Sequence, residues 1–208
     1  NTWFWNYSCG IVLILGRFVP IVGQVVNFFT DGTIPIQNVV RAGNRLLPDD
    51  IVLLKAEEAD RDFSALHSVK SKIYIYKVFE NELADPFMSR FYWHVNKKLN
   101  LEDMQEALKY IEGEHDFSSF RSAGGNDTSP IREIYEASCT KENNVYTFKF
   151  WGSGFLYHMV RNIMGLMINI GLGRVDKHEV PKIIEAKNRA LAGKMAPANG
   201  LYLQKVYY

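Results

Sequence analysis

The sequence predicts an α+β fold, an antiparallel sheet with helices packed behind it, and three observations carry that reading. Segments of period two, KIYIYKVF at 72–79, VYTFKFWG at 145–152 and GLYLQKVYY at 200–208, have the aromatic and β-branched content of strands. Segments of period three to four lie between and after them. The two kinds do not alternate in the regular β-α-β order of a parallel sheet, and no glycine-rich phosphate loop appears.

From Asn1 to Thr30 the chain carries a single charge, Arg17. Residues 9–29 are long enough to cross a bilayer, but Arg17 near the middle would cost about 2.5–3.5 kcal/mol on insertion scales, and Pro20, Gln24 and Asn27 add to that. A pair of buried strands broken near Pro20 is the better expectation, because VGQVVNFFT is rich in strand formers and TDG then turns the chain. No Lys or Arg precedes the run to act as the charged start of a signal peptide.

In 72–79 the alternation sets Tyr74, Tyr76 and Val78 on one face, and in 145–152 it sets Tyr146, Phe148 and Phe150 together. NLEDMQEALKYIEG predicts a surface helix: Asn100 caps it, Glu102 and Asp103 occupy the first turn, and Leu101, Met104, Leu108 and Ile111 form its apolar stripe. FLYHMVRNIMGLMINIGLG predicts a more apolar helix. DKHEVPKIIEAKNR predicts another, with Asp176 and Glu179 spaced for a capping box and Pro181 delaying its regular part.

Composition excludes some classes. The formal net charge of +1 falls short of the basic excess that by itself announces a nucleic-acid binder, so any RNA site is local. Cys9 and Cys139 are far apart and outside any C-x-x-C or His-rich setting, which indicates neither a disulfide framework nor a zinc site and points to the cytoplasm.

Arg161 is the only formal charge between Lys149 and Arg174, in the middle of an apolar helix. A buried guanidinium requires a partner, since breaking such a pair typically costs about 3–5 kcal/mol. The alternative is a place at the helix edge with the head group reaching water.

Six stretches carry a resemblance: GQVVNF at 23–28, NRLLPDDI at 44–51, KIYIYK at 72–77, HDFSSF at 115–120, GSGFLYHMVRNIMG at 152–165 and AGKMAPANGLYLQKVYY at 192–208. In this order they resemble the bacterial tRNA pseudouridine synthase A family, which modifies uridines in the anticodon arm. The resemblance implies two related halves around a central basic cleft that binds tRNA, a homodimer, and no metal or organic cofactor. It divides the chain at about residue 60, into an incomplete N-terminal half (1–60) and a C-terminal half (61–208). The family's reaction breaks the bond between uracil N1 and ribose C1′, turns the base and rejoins it through C5, with the uridine flipped out of the stack. Carried over residue by residue, the arginine that pairs with the nucleophilic aspartate is Arg161. The tyrosine that stacks on or deprotonates the uracil is Tyr74.

The aspartate itself is not matched. The family's G-R-T-D-A-G-V-H-A loop leads into G-Q-V, whereas here Gly16 and Arg17 are followed by Phe18, Val19, Pro20, Ile21 and Val22 before Gly23. Arg17 therefore resembles the arginine bordering the catalytic loop, which helps extrude the base. Asp31 lies beyond the strand, Asp49 and Asp50 belong to another motif, and Leu66 stands where the family has an arginine. The opening residues are too few for the family's first strand and first helix. A fragment or shifted reading frame is the favoured origin, ahead of a degenerate RNA-binding paralogue and of an enzyme with a relocated nucleophile. Lys70, Lys72, Lys77, Lys97, Lys98, Arg121 and Arg132 are the basic residues available for phosphates, each equally readable as a solvated surface charge.

Overall fold

A computed structural model describes residues 7–15, 24–30, 34–49, 51–125 and 128–208. These residues form two sheets. The smaller has the order β2-β1-β3, all antiparallel, from β1 (Tyr7–Leu15), β2 (Gln24–Thr30) and β3 (Ile51–Glu58). One helix, α1 (Ile36–Asn44), packs on β3 around Leu53, and the Asn44 side chain clamps the Leu53 backbone, donating to its carbonyl at 2.9 Å and accepting from its N–H at 2.7 Å. The opening stretch thus supplies a strand, but the expected burial is not found in its partner. Phe28 and Phe29 of β2 are 42% and 63% exposed.

The larger sheet is built on β4 (Ser71–Glu80), which pairs along one edge with β8 (Val145–Gly152) and along the other with β9 (Leu201–Tyr207) and the short β5 (Trp93–Val95). Beyond β8 follow β7 (Ile131–Glu142) and β6 (Gly113–Asp116). Every pairing is antiparallel except β5 with β4, which is parallel. The alternation read from the sequence is the one the fold uses: Tyr76, Val78, Tyr146, Phe148 and Phe150 are fully buried on one face, under helices α2 (Leu101–Lys109) and α3 (Met159–Gly171).

Helix α2 starts as its sequence predicts. Asn100 accepts from the Asp103 N–H at 3.2 Å, and Met104, Leu108 and Ile111 are buried. Two expectations need correction. The apolar helix starts at Met159 rather than Phe155, because residues 153–158 form a loop that ends in a left-handed His158. The capping box does not form either: Asp176 caps a single 3-10 turn by accepting from the His178 N–H at 2.8 Å, while Glu179 pairs with Lys182 at 2.6 Å. The regular helix α4 (Val180–Glu185) begins only there, with Pro181 in its first turn. No helix among the described residues is long and apolar enough to cross a membrane.

Residues 61–70 tie the sheets together. Asn27 of β2 donates to the Phe63 carbonyl at 3.2 Å and accepts from the Ala65 N–H at 2.8 Å, while the Tyr208 hydroxyl donates to the Ala65 carbonyl at 3.1 Å. At the far end of β4, the Glu80 carboxylate gathers the Leu99 N–H at 2.7 Å, the Tyr146 hydroxyl at 2.7 Å and the Lys141 ammonium at 3.0 Å. Burial alone would raise its pKa, but these donors outweigh burial and hold it below the usual glutamate range. A depressed folded pKa means that the carboxylate stabilises the fold above its unfolded pKa, and that this contribution fades as the pH falls through its folded value. Glu80→Gln is expected to cost about 1–3 kcal/mol at neutral pH. In denaturant melts the difference from the parent chain should shrink as the pH is taken below the ordinary carboxylate range; a constant difference would remove the electrostatic part of this account.

Candidate functional site

On the helix face of β4, Tyr74 is the residue that the core does not finish covering. Tyr76 and Val78 beyond it are fully buried, whereas Tyr74 is half-buried and meets Phe155 edge to face, with ring centroids 5.0 Å apart and planes at 85°. A register shift between Ile73 and Tyr74 in the pairing with β9 leaves Gln204 as an extra residue opposite this point. Bulges of this kind re-aim side chains next to sites. The result is a cavity of about 320 Å³ whose lining includes Tyr74, Phe155, Tyr157, His158, Arg161 and Leu201.

The loop before α3 forms the aromatic side of that cavity. His158 takes φ 60°, ψ 12°, a left-handed conformation that costs a non-glycine residue about 1–2 kcal/mol, and it stacks on Tyr157 with centroids 3.8 Å apart. The turn is held by the Met159 N–H donating to the Leu156 carbonyl at 3.0 Å and the Asn162 N–H to the His158 carbonyl at 3.0 Å. The positive end of α3 therefore faces the same space as Arg161, and both favour an anionic group there. Burial, and after it the Arg161 charge, pushes the His158 imidazole below its usual pKa, so it is neutral at pH 7. Burial raises the Tyr74 pKa, which keeps its hydroxyl protonated at neutral pH and suits it to donating a hydrogen bond rather than removing a proton.

Arg161 resolves the choice left open by its sequence in a third way. It is half-buried, and its Nε donates to the Ala196 carbonyl at 2.8 Å while the Ala196 N–H donates to the Arg161 carbonyl at 3.0 Å. Residues 194–197 thus form a strap lying across α3. The strap comes so close at Gly165 that a Cβ there would stand 1.9 Å from the Lys194 carbonyl oxygen. Its next residue, Pro197, accepts the buried Tyr76 hydroxyl at 2.7 Å. Below Arg161, buried Asn162 donates to the Phe120 carbonyl at 2.7 Å and accepts from Arg189 at 2.7 Å. Among the described residues no carboxylate lies within ion-pair distance of Arg161, and its two terminal nitrogens have no protein partner.

Tyr74 and Arg161 are therefore brought together. Arg17, Asp31 and Asp50 lie outside the described residues. Asp49 is exposed and does not line the cavity, and Leu66 is 73% exposed, so an arginine would fit there without steric cost. Among the basic residues, Arg132 lies against Gly154 in the cavity loop, bonded to the Ser129 carbonyl at 2.7 Å and the Ile131 carbonyl at 2.6 Å. Burial, then the nearby Arg121 charge, lowers its pKa. Lys77 lies over the Tyr92 and Tyr202 rings at 5.5 and 5.6 Å, and Lys70 and Lys98 are solvent-exposed. Phe155, Tyr157, His158 and the Ala196 contact were not singled out from sequence. The run GSGFLYHMVR was in view, but nothing in it marks His158 as left-handed or Ala196 as the partner of Arg161.

Fold and cavity together define a protein with an aromatic, cationic pocket at the junction of β4, the start of β9 and the N-terminus of α3 with the loop before it. Residues 107–208 match the family model described as tRNA pseudouridine synthase. The tRNA pseudouridine synthase A of Acetivibrio thermocellus is 42% identical over 190 residues, covering 91% of this chain and 78% of that protein. That of Ruminiclostridium cellulolyticum is 44% identical over 191 residues, with 91% and 78% coverage, and that of Thermoanaerobacter pseudethanolicus 40% over 185 residues, with 89% and 76%. The chain belongs to the tRNA pseudouridine synthase A family, a family of isomerases.

Two outcomes test the site's geometry. Gly165→Ala forces the strap off α3 and should destabilise the fold by about 1–3 kcal/mol, with faster hydrogen exchange at the Ala196 amide; unchanged protection there would show that the strap is not seated on Gly165. The His158 ring should titrate below 6.5 by NMR. In Arg161→Gln it should move up only part of the way, because burial is the larger cause; a midpoint unmoved by removing Arg161 would dismiss the charge coupling.

Proposed function

We propose that this chain binds the anticodon arm of tRNA and takes a flipped uridine into the Tyr74–Arg161 cavity, but does not isomerise it as the sequence stands. The observation that carries the reading is that one cavity of about 320 Å³ contains both residues the resemblance assigns, one from β4 and one from α3. Flipping a uridine costs a few kcal/mol, and the Tyr74 ring offers a face on which a base stacks for about 1–3 kcal/mol. Neutral His158 and the protonated Tyr74 hydroxyl offer hydrogen bonds to the uracil edge. Arg161 supplies the charge that, in the family's chemistry, holds a nucleophilic aspartate ionised and oriented.

The segment where that aspartate would stand, Gly16 to Val22, contains no carboxylate. Arg17 is the remnant of the arginine that borders the loop and in the family helps extrude the target base. Without the nucleophile the cleavage of the glycosidic bond is unassisted, because the protonated Tyr74 and the Arg161 guanidinium position and stack but donate no electron pair to the reacting atom. The reading brings with it a homodimer, a cytoplasmic setting and a division of the chain near residue 60. That the terminal nitrogens of Arg161 have no partner among the described residues favours one second reading, a noncatalytic RNA-binding module derived from this family.

Pseudouridine formation in an anticodon stem-loop separates these. The chain as written should give no product, and a version in which G-R-T-D-A-G-V-H-A replaces residues 16–22 should turn over. Robust turnover by the unrepaired chain would overturn the inactive assignment, and Asp31 would be the first relocated nucleophile to replace. Binding of tRNA should fall steeply with salt and weaken about tenfold or more in Tyr74→Ala. Affinity indifferent to both would remove tRNA as the ligand.

A further inference from the structure

The strap that holds Arg161 has a second side. Ala196 is buried against α3, but Lys194, Met195 and Pro197 line another cavity, of about 690 Å³, between the C-terminal half of α3 and β5 with the residues after it. Its floor is apolar, from Trp93, Ile168, Leu172 and Met195. Trp93 is half-buried and set edge-on to Tyr76, with centroids 6.2 Å apart at 81°, so its position is fixed by the core. The rim is cationic: Lys97, Arg174 and Lys194 converge on it, and no Asp or Glu lines it. None of the three cations has an ion-pair partner among the described residues. Arg174 is held at the rim by its N–H donating to the Asn169 carbonyl at 2.9 Å and its guanidinium to the Asn169 side chain at 3.4 Å.

An apolar floor with a fixed indole edge, a rim of three positive charges and a ligand-sized volume match one chemistry, a planar base carrying a phosphate. We propose that this cavity is a second nucleotide-binding site, taking a nucleoside 5′-phosphate with the base on the Trp93 side and the phosphate on Lys97, Arg174 and Lys194. The nucleotide comes either from the tRNA chain or from the free pool. Only the first source rests on the tRNA reading above. The shared strap gives the site a mechanical connection to Arg161: a ligand that orders Lys194 and Pro197 also orders the Ala196 carbonyl on which the guanidinium hangs.

The test uses the full chain and a triple variant, Lys97→Gln with Arg174→Gln and Lys194→Gln. All three side chains are exposed, so the variant should melt like the parent. Equilibrium dialysis with uridine 5′-monophosphate should show saturable binding that persists in Tyr74→Ala, is at least tenfold weaker for uridine, and is lost in the triple variant. If the source is tRNA, the slope of log affinity against log salt should also shrink by about 0.7 to 0.9 in the triple variant, the value for one lost phosphate contact. A changed monophosphate affinity with an unchanged tRNA slope supports the free-nucleotide source. Monophosphate binding lost in the triple variant while the parent ignores tRNA keeps this site and sinks the tRNA reading. Binding of monophosphate and tRNA both unchanged in a folded triple variant overturns the site, whatever Tyr74→Ala does.

Discussion

Two hydrogen bonds between Arg161 and Ala196, one from the guanidinium Nε and one between backbones, organise the C-terminal part of this protein. They fix the strap 194–197 on α3, and they are possible only because Gly165 leaves room for the Lys194 carbonyl. From that contact the rest follows outward. Pro197 accepts the Tyr76 hydroxyl and so registers the strap against β4, and chain continuity then delivers β9 to the edge of β4 where its extra residue sits opposite Tyr74. The strap holds Arg161 of the smaller cavity through Ala196 and forms a wall of the larger, cation-rimmed one.

The chemistry of the smaller cavity is set by what its surroundings deny. Burial raises the pKa of Tyr74, already far above neutrality, and His158 is kept neutral by burial and by the cation beside it. Charge in the cavity therefore comes from Arg161 and the α3 N-terminus, both positive. A site of this kind is incomplete without an anion, and it is complementary either to a carboxylate from the protein or to the phosphates that flank a flipped nucleotide. Among the described residues the guanidinium is bonded through Nε alone.

The smaller sheet is a thinner structure. Among the side chains described outside β1, Leu53 is its buried hydrophobic residue, clamped by Asn44 and covered by α1. Phe28, Phe29 and Leu66 are exposed, and residues 61–70 bridge to the large sheet through Asn27 and Tyr208. The large sheet needs no such help. Its core is continuous from Tyr76 through Phe148 and Phe150 to Met104, Ile163 and Met167.

The sequence by itself determined whatever depends on local periodicity and local capping. The burial of Tyr76, Val78, Tyr146, Phe148 and Phe150 follows from alternation, α2 follows from Asn100 and its stripe, and the family follows from six ordered motifs. It did not resolve α1, although Ile36, Val39 and Val40 recur at helical spacing, because the helix is only 9 residues long and buries none of them fully, nor the long β7, whose burial pattern is irregular. It misplaced the start of α3 for a tertiary reason: Phe155 and Tyr157 have the hydrophobicity of a helix, yet the cavity and the left-handed His158 hold them in a loop. The fate of Arg161 lay furthest from the sequence. An apolar helix around one arginine demands a partner, but that the partner is a backbone carbonyl 35 residues away was decided only when the strap, Gly165 and β9 packed together.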